Sequence, residues 1–183
     1  MKDIFSVNVF AVIDITQTFL PELIAAKGTI VNIGSVVGHM PIPYSAVYCG
    51  SKAALYAYSE SLRLEVAPLG VKVTYIHTAN VKTNIFRGRT TLDDNSLWIE
   101  AREAFDHTQE QAATTGMEPE AYAKSLTSQL VSGHRNVRWV GEGAFMVWFM
   151  LELQKFLPFQ IITPLLTKLY GLDKVERPKD KDV

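Results

Sequence analysis

The chain has 183 residues, one domain at roughly 150 residues per domain, and 18 Lys plus Arg against 19 Asp plus Glu. Its 48% hydrophobic and 20% charged residues exclude the disordered class, and a formal charge of −1 argues against nucleic acid, whose phosphates need a basic excess on one face. One cysteine, Cys49, excludes an intrachain disulfide and a cysteine-rich zinc site and suits a reducing, cytoplasmic setting.

Asp3 and Asn8 interrupt the apolar start, so no signal peptide is expected there. From 4 to 26, Ile4, Val7, Phe10, Phe19, Leu20, Leu23 and Ile24 recur near helical spacing, interrupted by Pro21 and stopped by Gly28. Thr29 to Gly34 is a β-branched run ended by glycine and reads as a buried strand. After a loop punctuated by Pro41 and Pro43, a long helix spans Tyr44 to Ala67, closed by Pro68 and Gly70. Val71 to Ile76 is the next strand.

Helices follow across Leu97 to Ala113 and from Pro119 to about Ser132, the proline in its favoured first-turn position. Asn136 to Gly141 reads as a third strand, then come two apolar helices, 143 to 157 and 159 to 170. Glu152, Gln154 and Lys155 break their apolar run below the roughly 18 to 20 residues of a membrane span, leaving a core or lid role, or an interfacial lipid-facing one. Residues 1–172 read as one domain and 173–183 as a charged, disordered tail. The alternation of strands and helices predicts an α/β fold with a parallel sheet, and three strands are few enough to be part of a larger one.

Tyr48 and Lys52 are four apart on the long helix and project from one face. A tyrosine hydroxyl titrates near 10, and an adjacent ammonium would lower that value and give a usable general acid/base. Ser35 stands where the first strand ends, at the carboxyl edge where open α/β sheets bind ligands. A lone Tyr-x-x-x-Lys is weak, and Tyr170 with Lys174 forms a second; Leu157 stands thirteen residues before Tyr170, where Tyr48 has Ser35. Cys49 reads as a small packed residue. His39, His77, His107 and His134 lack metal spacing, and His77 is the one to watch at its strand end.

Asn8, TIVNIGS ending at Ser35, YCGSKAAL from Tyr48 and VKVTYIHTANVKT together resemble the short-chain dehydrogenase/reductase family. Residues 97 to 176 resemble its fungal acyl-dihydroxyacetone-phosphate reductase branch. The resemblance implies strands five to seven of a doubly wound, Rossmann-like sheet. It implies a catalytic set of Ser35, Tyr48, Lys52 and Asn8, and contacts to NADP, or NAD, from Asn8, Tyr48, Lys52, Val81 and Thr83, with no metal. Tyr48 would move the proton at the substrate oxygen and Lys52 would lower its pKa and hold the nicotinamide ribose. Ser35 would orient the carbonyl, and Asn8 would hold a relay water.

The expected substrate is an apolar ketone, an acyl-dihydroxyacetone phosphate or a secondary metabolite. A homo-oligomer or a strand-supplying partner is expected, since the first and the Tyr44 to Ala67 helices resemble the family's subunit-packing surface. Contact with endoplasmic reticulum or lipid droplets is the alternative to a purely cytoplasmic location. Two departures stand against the family pattern. No Gly-x-x-x-Gly-x-Gly precedes Asn8, so the cofactor-binding half is expected to be missing, and Asn80, tolerant of left-handed geometry, stands where a glycine is usual. A cofactor-free isomerase or lyase using the same residues, and a non-catalytic remnant or partner subunit, are the rival readings.

Overall fold

A computed structural model describes residues 2–86, 91–132, 138–156 and 159–176. Its sheet has three parallel strands, β1 (Thr29–Ile33), β2 (Lys72–Thr78) and β3 (Arg138–Val140), in that order. The helices are α1 (Lys2–Ala26), α2 (Ala46–Val66), α3 (Arg102–Thr114), α4 (Pro119–Val131), α5 (Ala144–Gln154) and α6 (Phe159–Leu169). The alternation predicted from sequence is thus present as a parallel α/β sheet. Asn136 of the expected third strand lies outside the described residues, as does His134.

The register pairs Ile30 with Val73, Asn32 with Tyr75 and His77 with Trp139, which puts these side chains on one face. That face meets α1 and α2: Ile30, Val71 and Val73 bury against Leu62 and Val66, with Leu20, Leu23, Ile24 and Tyr58 packed around them. Buried Asn32 is satisfied by donating to Ser59 Oγ at 2.8 Å, and Ser59 donates to the Leu55 carbonyl at 2.7 Å.

Two features of α1 depart from the sequence expectation. Pro21 does not interrupt it, and the segment Ser6–Phe10 is a π-turn with Asn8 at its centre. The helix ends on Lys27, which is left-handed at φ 48°, with Gly28 donating back to the Leu23 carbonyl at 2.8 Å. Among the described residues α1 is also the one helix long and apolar enough to cross a membrane, at mean hydropathy 1.5 over 18 residues. Its Leu20, Leu23 and Ile24 pack on the sheet core, while Val7, Phe10, Ile15 and Phe19 are exposed.

Leu172–Lys174 is a helical turn, and Glu176 N–H donates to the Glu100 carboxylate at 2.7 Å. Residues 177–183 lie outside the described part.

Candidate active site

Ser35 lies two residues past the end of β1, where the extended backbone (φ −154°, ψ 153°) turns into the short helical turn Val36–Gly38. Its hydroxyl accepts from the Val37 N–H at 3.3 Å, and the side chain is buried. The backbone here is pinned from β2. The Tyr75 hydroxyl accepts from the Ser35 N–H at 3.0 Å and can donate to the Lys52 carbonyl at 3.2 Å. Gly34 makes room for that ring, because a Cβ there would fall 1.8 Å from Tyr75 Cζ. One tyrosine hydroxyl therefore ties the strand end to the helix that carries Tyr48 and Lys52.

Tyr48 and Lys52 sit one turn apart on α2, with Lys52 Nζ 5.8 Å from the Tyr48 ring centroid. The Lys52 ammonium donates to the Ile33 carbonyl at 3.2 Å, spending one of its three protons. Desolvation pushes the Lys52 amine down. Burial also pushes the Tyr48 hydroxyl up, with the Ser35 side chain acting the other way to a smaller extent. The lowering expected from the ammonium is thus not what the structure gives: burial dominates, and Tyr48 is a protonated hydroxyl at neutral pH.

Two cavities meet at Tyr48. One, of about 520 Å3, is lined by Ser35, Tyr48, Lys52, Thr78, Val81 and Thr83. The other, of about 850 Å3, is walled mainly by apolar groups, among them Pro43, Val47, Trp98, Phe105 and Leu172, with Tyr48 again at its edge. Five of the six residues named from sequence therefore share the first cavity.

Asn8 is placed differently. It is not among the lining residues; its side-chain N–H donates to Ser51 Oγ at 3.0 Å, and Ser51 donates to the Tyr48 carbonyl at 2.7 Å. It tethers α1 to the turn bearing Tyr48, and the π-turn is what aims it there. Asn80, which stands where the family usually has glycine, is not left-handed. Its amide turns away to Thr115, and its backbone bridges to Glu142 while Val81 bridges to Met117, fixing the Val81–Thr83 segment. Thr78, at the end of β2, shares a 2.8 Å hydrogen bond with Tyr122 on α4.

His77 takes no part in the cavity. It is 1% exposed, stacked on Trp139 (4.2 Å, 11°) and close to His39 (4.6 Å), with neither ring nitrogen hydrogen-bonded. Cys49 is buried near the Ile42 carbonyl, a packed residue as expected.

The family model described as short chain dehydrogenase matches residues 1–93, just over half of the chain. The chain belongs to the short-chain dehydrogenase family. Along its whole length this short-chain dehydrogenase is 35% identical to the NADPH-dependent 1-acyldihydroxyacetone phosphate reductase of Saccharomyces cerevisiae, of which it covers 63%. A protein of the same name from Schizosaccharomyces pombe is 50% identical over 85 residues, 46% of this chain and 29% of that one. The crystal structure of a short-chain dehydrogenase from Streptomyces avermitilis matches 96% of this chain and 62% of its own at TM-score 0.66 and 24% identity, a likeness of fold. The chain thus spans less than two thirds of the length of these relatives.

Tyr75, Ser51 and Asn80 support the site without having been singled out for that from sequence. A bulky Tyr75 between Val73 and His77 is the one visible signal, and it gains meaning only once the register sets it beside Gly34.

Proposed function

We propose that this short-chain dehydrogenase supplies the carbonyl-binding and proton-donating part of an NADPH-dependent reductase acting on an apolar ketone. The observation that carries this reading is the position of Tyr48 between two unlike cavities. The smaller holds Lys52, Val81 and Thr83, suited to a nicotinamide and its ribose; the larger is apolar, suited to the substrate's chain. NAD(P)H, when bound, supplies the hydride.

The chain's own residues do the rest. Ser35, which shares the cavity wall with Tyr48, orients the carbonyl oxygen. Tyr48, kept protonated by burial, gives its proton to that oxygen as the carbon becomes an alcohol carbon. Lys52, with protons beyond the one given to Ile33, steadies the resulting phenolate and reaches a ribose hydroxyl. Asn8 acts through Ser51 on the placement of Tyr48. Two relatives bear the name of an NADPH-dependent 1-acyldihydroxyacetone phosphate reductase, and an acyl chain suits the larger cavity, which supports an acyl-dihydroxyacetone phosphate as the ketone.

The test incubates the chain with palmitoyl-dihydroxyacetone phosphate and saturating NADPH and follows NADPH oxidation with alcohol formation. Stoichiometric oxidation, lost in Tyr48→Phe, supports the proposal. Deuterium exchange next to the ketone without NADPH oxidation would replace it by the cofactor-free isomerase reading. We also propose that it works as an oligomer, through the exposed apolar face of α1, and touches membranes only peripherally, through Phe145 and Phe149 of α5.

A further inference from the structure

One wall of the apolar cavity comes from the far end of the chain. Tyr44 lies four residues before Tyr48, and its hydroxyl donates to the Tyr170 carbonyl at 2.7 Å, across 126 positions of sequence. Its ring stands edge-on to Phe105 (5.2 Å, 89°). Tyr44 is held at φ 63°, a left-handed conformation costly for an aromatic residue. Strain of this kind persists where the surroundings over-determine it, and here the ring contact and the hydrogen bond do so.

Beyond Tyr170 the chain lies flush on the start of α3, since a Cβ on Gly171 would stand 2.7 Å from that of Ala104. Leu172 then enters the cavity wall. The remaining attachments are exposed: Lys174 to Glu103 at 3.7 Å and the Glu176 N–H to Glu100. Exposed ion pairs hold little, so the half-buried Tyr44 hydrogen bond is the firm one.

We propose that residues 170–176 form a strap along the apolar cavity and that Tyr44, by latching it, sets the length of apolar chain accepted beside Tyr48. This rests on the reading of that cavity as the place of an apolar carbonyl compound. Tyr44 is a specificity-determining, positioning residue: it fixes the wall that Leu172 presents, and through the loop into α2 it holds that wall against the turn bearing Tyr48.

The probes are methyl ketones with a hexyl or a dodecyl chain, titrated into the full 183-residue chain while tryptophan fluorescence is followed, Trp98 being in the cavity wall. The unsubstituted chain should bind the dodecyl ketone more tightly than the hexyl one. Tyr44→Phe keeps the ring and deletes only the latch; it should cut that preference roughly five-fold, the effect of one hydrogen bond. Amide exchange across 171–176 should quicken in the same variant, with the thermal midpoint within a few degrees. Leu172→Ala, which removes the wall but not the latch, should also lower the preference. An unchanged preference in both variants overturns the strap while leaving the functional reading in place. Failure of the unsubstituted chain to bind either ketone overturns the functional reading, and the strap with it.

Discussion

At Tyr48 burial is the largest influence and raises the hydroxyl above its ordinary value, so it keeps its proton in the neutral range. Tyr48→Phe removes that proton while leaving the ring in both cavity walls; turnover should drop by at least about 100-fold, the usual share of a positioned acid, with the thermal midpoint unchanged. Activity within a few-fold would sink the assignment of the proton to Tyr48. His77 makes a second residue-scale case. Burial and the neighbouring His39 push its imidazole from 6.5 down to about 3. Between those values the unfolded chain binds a proton that the folded chain refuses, so stability is full above pH 6.5 and falls as the pH drops toward 3. The slope should approach about 1.4 kcal/mol per pH unit in urea unfolding. His77→Phe, which can still stack on Trp139, should flatten it; an unaltered slope would assign the acid sensitivity elsewhere.

At the scale of elements, one side chain from β2 joins the backbone just past β1 to α2, beside the direct Asn32–Ser59 and Lys52–Ile33 hydrogen bonds. Tyr75→Phe deletes the hydroxyl that receives the Ser35 N–H and leaves that buried group unpaired, at a cost of about 1–3 kcal/mol. Urea unfolding should show this as a lower midpoint at unchanged slope, and a loss under about 0.5 kcal/mol would mean that another acceptor serves Ser35. The elements themselves were legible in the sequence because β-branched runs ended by glycine and small-residue helices closed by proline are local signals. So was the grouping of Ser35, Tyr48, Lys52, Val81 and Thr83, which the resemblance placed at one sheet edge. What was not legible is what depends on register or on distant contact. Neither the meeting of Tyr75 with Gly34 nor that of Tyr44 with Tyr170 has a local signature. The same holds for Asn8, whose direction depends on a π-turn, and for the burial that raises the pKa of Tyr48.

For the whole molecule, two expectations follow from a sheet in which β1 is an edge strand. Ile33 is 47% exposed, and α1 shows Val7, Phe10, Ile15 and Phe19 to solvent. An edge with unpaired N–H and C=O groups beside an apolar surface invites another chain. The purified protein should therefore elute as dimers, larger species or a complex; a monodisperse 20.4 kDa monomer in light scattering with cooperative unfolding would refute this. NADPH should bind the isolated chain only weakly, since among the described residues the cavity of Lys52, Val81 and Thr83 shows no glycine-rich turn opening a helix to receive a pyrophosphate. Submicromolar affinity by NADPH fluorescence would contradict that expectation.

The π-turn in α1 acts as a phase shift between two halves of one rod. Each residue of an α-helix advances the side-chain direction by about 100°, so one additional residue in the coil turns everything before it by that angle relative to everything after. Downstream, Leu20, Leu23 and Ile24 are set against the sheet. Upstream, Ile4 faces the apolar cavity and Phe5 faces Gly50. Deleting Val7 removes the extra residue together with the wide turn, so the rod should relax to plain α-helix with Ile4 and Phe5 still in phase with the downstream contacts. By absorbing one residue of length, the wide turn lets the two ends of α1 address the sheet and the site together.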